Sequence, residues 1–225
     1  MLKHLLGDGN IQSYIVQLLL SLPVCLLALS VHETAHGYVA YRLGDPTARS
    51  MGRLTLNPVK HIDPIGFLCM VLFGFGWAKP VPINTRYFKK PKRDMALTGA
   101  AGPISNLLLA IVFALAMKAF YAVIPYASFP NDKVLLMAAY FQAFLYYGIY
   151  LNVALAIFNL LPVPPMDGSR LLFAALPSKL YFKIMRYEQY IYIAVLVLLA
   201  LGVLSPVINF LTGAVMDLIF LVFAL

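Results

Sequence analysis

His32-Glu33-Thr34-Ala35-His36 sets two imidazoles four residues apart, with a carboxylate beside the first. On a helix, positions i and i+4 lie one above the other on a single face. Two neutral imidazoles so placed can bind one Zn²⁺, each at about 2.0–2.1 Å. Glu33 adjoins the first ligand and can act as the base toward an attacking water. The metal lowers that water's pKa and polarises the scissile carbonyl. The chemistry in view is peptide hydrolysis. Three ionisable side chains within five positions of an apolar run are costly in a bilayer and mark function there. The bland reading ends the span near Ser30 and leaves the motif solvated in the interface.

A catalytic zinc takes a third protein ligand and keeps one open position. Of the four histidines, His4 and His61 fall in a polar tail and a loop. Asp167 is the better candidate. It follows the break Leu161-Pro162-Val163-Pro164-Pro165-Met166 at the end of an apolar run. At membrane depth such breaks line a cavity or a protein interior. Asp167-Gly168 is equally a common surface-turn dipeptide, and spacing alone does not choose between them.

The elements that must position these residues read as membrane helices. Hydrophobic residues make up 62% of the 225 and charged residues 12%, well off the balance of a soluble domain. The run from Ile11 through Leu29 continues past the motif to about Leu43. Pro23 interrupts it and Gly44-Asp45-Pro46 stops it. Ile65–Trp77 is short and holds Gly66, Gly74 and Gly76, which suits a re-entrant or interfacial segment. Pro80 and Pro82 then keep 77–84 extended. Long helices are expected over Met95–Ile124, whose small face carries Gly99 and Gly102, and over Val134–Leu161. Two last apolar runs, Tyr190–Leu204 and Val207–Leu225, are divided at Ser205-Pro206, with Tyr187, Tyr190 and Tyr192 as an interfacial belt.

The expected fold is therefore all-α, a polytopic transmembrane bundle with one short re-entrant or extended segment. Residues 1–225 form a single domain, with a core at 11–168 and a C-terminal hairpin at 187–225. The first run is read as retained rather than as a removed leader. The net charge of +8 is assigned to cytoplasmic loops rather than to nucleic-acid binding. Stretches 42–60, 86–93 and 170–186 share one side if 65–77 does not cross, which puts the N-terminus outside. Cys25 and Cys69, both in apolar context, read as buried thiols.

Four stretches together resemble one family. They are His32-Glu33-Thr34-Ala35-His36, Gly76-Trp77-Ala78-Lys79-Pro80-Val81-Pro82, Gly102-Pro103-Ile104-Ser105-Asn106, and Asn159-Leu160-Leu161-Pro162-Val163-Pro164-Pro165-Met166-Asp167-Gly168. In this order they resemble the site-2 proteases, intramembrane zinc metalloproteases of peptidase family M50. The resemblance implies His32, His36 and Asp167 as ligands of one Zn²⁺ per chain, and Glu33 as base. It makes Asn159 the Asn that assists near zinc by donating to the oxyanion, with helix–helix hydrogen bonding as its other reading. Asn106 is expected to be structural. Many members carry a PDZ or CBS domain, and this chain resembles the compact members without one. The expected protein is a multi-pass endopeptidase of a bacterial cell membrane, acting on membrane proteins or membrane-adjacent peptides. The alternative is a non-catalytic membrane zinc-binding protein, a carrier or scaffold. Glu33 argues against that, since a binding site has no use for a base. Residues 77–84 are either an edge that holds an unwound substrate by strand addition or a stiff connector.

Overall fold

The computed structural model describes residues 11–73, 76–124, 131–177, 180 and 186–225. His4 and Gly74, and Lys179 and Lys183 of the 170–186 stretch, which the sequence reading used, lie outside them. Eight α-helices are found among the described residues, and no strand beyond one isolated bridge.

Helix α1, Ile11–Arg42, is 32 residues long with Pro23 inside it, roughly 48 Å at 1.5 Å per residue. It overspans a hydrocarbon core of about 30 Å, so the motif sits within helix rather than after its end. Gly44 ends the chain's helical course at φ +110°, a conformation that L side chains rarely adopt. Short helix α2, Thr47–Ser50, and a 3₁₀ turn at Pro58–Lys60 follow. Helix α3, Pro64–Phe73, has 10 residues; the Asp63 carboxylate accepts the Ile65 and Gly66 N–H groups at its start. At roughly 15 Å, α3 reaches half the depth of a hydrocarbon core. Ile62 and Ala78, on either side of it, pair in an antiparallel bridge. The two ends of this segment therefore lie side by side.

The next long helix, α4, runs Pro91–Val123 and includes Pro103. It starts four residues before the apolar run because Pro91 suits the first turn and Asp94 Oδ2 accepts the Lys90 N–H. Helix α5, Asp132–Leu160, is capped by Asn131, whose side chain accepts the Val134 N–H. Helix α6, Asp167–Ala175, follows the proline-rich break. Helices α7, Glu188–Ala200, and α8, Ser205–Phe223, close the chain. They divide at Gly202, φ +74°, and not at Ser205-Pro206. Pro206 instead occupies the first turn of α8, where its missing N–H has no helical partner to lose.

The core joins Val24 of α1, Ala110, Phe113, Ala114 and Met117 of α4, Leu145, Ile149 and Val153 of α5, and Met216 and Ile219 of α8. Small residues bring α4 and α5 together: a Cβ on Gly148 would lie 2.2 Å from the Phe113 ring. The outward faces stay apolar, and Phe210 and Leu221 are 74% and 79% exposed. Four helices, α1, α4, α5 and α8, are long and apolar enough to cross a membrane. Exposed apolar surface on this scale belongs against lipid. The all-α polytopic bundle expected from the sequence is the fold observed. Both cysteines are free, as expected, but half-buried rather than buried.

Candidate metal centre

Helices α1, α4, α5 and α6 build the site. Helix α1 presents His32 and His36 one turn apart on its inner face, and α6 begins with Asp167. The three side chains are buried, 4%, 5% and 6% exposed. His32 Nε2 lies 3.0 Å from His36 Nε2. Asp167 Oδ2 lies 3.1 Å from each of them.

The outer ring nitrogens decide what the inner ones carry. His32 Nδ1 is 2.6 Å from Asn106 Oδ1. The Asn106 amide is fixed in that sense, because its Nδ2 donates to Ala28 O at 3.1 Å and to Asn152 Oδ1 at 2.9 Å. His36 Nδ1 is 2.7 Å from the Thr98 carbonyl. Both partners are acceptors, so both Nδ1 atoms bear the hydrogen and both Nε2 atoms turn a lone pair inward. Together with Asp167 Oδ2, three acceptor atoms converge with no donor between them. One shared proton would relieve one contact, whereas a cation relieves all three. Ligands at about 2.0–2.1 Å around a tetrahedral zinc stand about 3.3–3.4 Å apart, within a few tenths of an ångström of this triangle. Two imidazoles with carbonyl-type outer partners and one carboxylate are a donor set that suits zinc. Asp167 Oδ2 is the carboxylate oxygen turned into the triangle. The other oxygen, Oδ1, faces Arg170 Nη1 at 3.6 Å.

Glu33, one position on from His32, is not one of the three converging groups. Its Oε2 accepts the Val81 N–H at 2.8 Å, so the proline-rich segment stands beside the motif. Asn159 is half-buried and donates to the Leu155 carbonyl of its own helix at 3.0 Å; no contact joins it to the triangle. His61 is buried and is not part of the triangle; its Nε2 donates to Thr55 O, which also receives the Thr34 hydroxyl.

Four contributors escaped the sequence reading. Asn106 was read as structural, yet it orients His32. Asn152 holds Asn106 and in turn donates to Gly148 O. The Thr98 carbonyl orients His36. Gly102 leaves room for both rings: a Cβ there would lie 2.5 Å from His32 Cε1 and from His36 Nε2. Amides buried in an apolar helix were the signal available for Asn106 and Asn152. Nothing in the sequence marks a particular carbonyl.

The chain is similar to several known proteins. The family model described as Peptidase family M50 matches residues 123–203. A provisionally named zinc metalloprotease of Bacillus subtilis, YwhC, is 40% identical over 188 residues, covering 82% of this chain and 83% of its own.

The chain belongs to peptidase family M50.

Another provisionally named zinc metalloprotease, Rip2 of Mycolicibacterium smegmatis, is 29% identical over 203 residues, covering 88% of this chain and 71% of its own. MJ0611 of Methanocaldococcus jannaschii, named in the same provisional way, is 27% identical over 108 residues, about half of each chain. No solved structure matches. The M50 chain is thus a zinc metalloprotease and an integral membrane protein, and the resemblance to site-2 proteases stands.

Proposed function

We propose that this M50 protease hydrolyses peptide bonds of transmembrane or membrane-adjacent substrates. One zinc per chain is held by His32, His36 and Asp167, and Glu33 is the base. The observation that carries this reading is the buried triangle of acceptors, edges 3.0–3.1 Å, set among lipid-facing helices with a carboxylate beside it. When bound, zinc supplies Lewis acidity to the scissile carbonyl and acidity to the attacking water. The chain's own residues do the rest. Asn106 and the Thr98 carbonyl orient the imidazoles, and Glu33 accepts the water's proton. A helical substrate hides its carbonyls in its own hydrogen bonds and must unwind first. The extended segment 77–84 offers an edge for the unwound strand. That edge is partly used, since the Val81 N–H is on Glu33 and the Val81 side chain is buried at 6% exposure. Ile83 is therefore the position to probe. Wild-type cleavage by Ile83→Asp, with zinc retained, would leave 77–84 a connector.

The protein is placed in a bacterial cell membrane, its basic stretches facing the cytoplasm. Asn159 is the weaker member of the scheme, because among the described residues its only hydrogen bond is to the Leu155 carbonyl of its own helix and none joins it to the triangle. A wild-type rate in Asn159→Ala would remove it. The deciding experiment is Glu33→Gln. Fold and zinc should be kept while cleavage falls at least about 10²–10⁴-fold, and what co-purifies with this trap should be cut by wild type. Full activity in Glu33→Gln would overturn the mechanism and reopen the carrier or scaffold reading.

A further inference from the structure

Pro80-Val81-Pro82 carries a single backbone donor, because proline has no N–H. That donor is directed at Glu33 Oε2, 2.8 Å away. The backbone around it is fixed on several sides. Arg53 Nη2 donates to the Lys79 and Pro80 carbonyls at 2.7 and 3.3 Å. The Lys79 N–H donates to His61 O at 2.8 Å, and the Asn84 N–H to Asp45 Oδ2 at 2.7 Å. The Val81 side chain packs on Gly37, one turn beyond Glu33, where an added Cβ would stand 3.1 Å from Val81 Cγ1. The backbone hydrogen bonds on either side of Val81 hold its amide in place whatever the length of its side chain. Among the described residues, Glu33 Oε1 has no hydrogen-bond partner.

We infer that Val81 is a positioning residue for the base: its amide holds Glu33 Oε2 and leaves Oε1 as the oxygen that receives the proton. The inference rests on Glu33 being the base. One water O–H bond breaks and its proton passes to Oε1; the water oxygen's electron pair forms a bond to the substrate's carbonyl carbon as the C=O π bond breaks and its pair moves to the carbonyl oxygen. The two prolines have a role in this that a connector does not require. They fix φ on both sides of the donor and remove every competing donor from the triplet. Hydrogen bonds to charged groups are among the stronger ones, and this one sets which carboxylate oxygen faces the substrate.

The test compares Val81→Pro, which removes the donor, with Val81→Ala, which keeps it and trims the side chain. Both are assayed in nanodiscs on a fluorogenic single-span peptide that wild type cleaves. Val81→Pro should keep its zinc and lose about 10–100-fold in kcat, with KM nearly unchanged. Val81→Ala should stay within a few-fold of wild type. A second readout needs no turnover. The infrared carboxylate stretch of Glu33, isolated by subtracting the Glu33→Gln spectrum, should shift in Val81→Pro and not in Val81→Ala. If Val81→Pro does not fold, an amide-to-ester replacement at Val81 removes the same donor and is judged by the same outcomes. An unmoved band with wild-type kcat, or equal losses in the Pro and Ala variants, overturns the inference. A fully active Glu33→Gln overturns the base assignment instead, so the two failures are told apart.

Discussion

Single atoms decide how firmly the imidazoles are aimed. Asn106 uses all of its near capacity: one acceptor for His32 and two donations, to Ala28 and Asn152. Asn106→Ala leaves His32 free to turn and strands two buried acceptors. Zinc affinity, measured by chelator competition, should fall about 10–100-fold while helix content is kept. Unchanged affinity would reduce Asn106 to a packing residue. Gly102→Ala meets a harder limit, since its Cβ would enter both rings at 2.5 Å. Overpacking of this kind costs about 1–3 kcal/mol, and most zinc should be lost with it. A variant that purifies with a full complement of zinc would show that the rings have room to retreat. At this scale the sequence displayed the donors and hid their supports. HExxH names its residues by spacing, whereas Thr98 acts through a carbonyl every residue has, and Gly102 acts by lacking a side chain.

Elements were legible where one rule dominated. Apolar length marked α1, α4 and α5, and the glycine-rich run at 65–77 holds a helix of only 10 residues, Pro64–Phe73. Boundaries were lost where capping overrode the apolar pattern. Lys90 and Asp94 start α4 ahead of its apolar run, and Gly202 rather than Pro206 divides α7 from α8. The Ile62–Ala78 bridge carries a topological prediction: the chain on both sides of α3 should face one compartment. Single cysteines at Lys60, Lys89 and Lys92 should all resist an impermeant reagent applied to intact cells and label after permeabilisation. Labelling at Lys89 and Lys92 but not at Lys60 would mean that α3 crosses. Contact between helices is testable as well. Gly148→Val presses on the Phe113 ring, already 2.2 Å from a virtual Cβ. It should lower the unfolding midpoint without touching a ligand, which sets it apart from Gly102→Ala.

Seen whole, the molecule closes its site from parts that lie far apart in the chain. His32 and Asp167 meet across 135 residues, and Asn106 and Asn152 come from the two long helices between them. The overall fold could be read in advance because membrane helices announce themselves by length. How they lean on one another could not, because small residues and buried amides set it. A chain ending at residue 160 retains HExxH, Asn106 and Asn152, yet it should hold no stoichiometric zinc at chelator concentrations that wild type withstands. Full retention by that fragment would show that the histidine pair suffices. The separation also sets a clock. At about 5–20 residues per second of synthesis, Asp167 is made roughly 7–27 s after His32. Throughout that interval the nascent protein carries the proposed base and two of the proposed ligands without the third. On the proposed mechanism the enzyme is born inert, and activity cannot begin before Asp167 has been delivered.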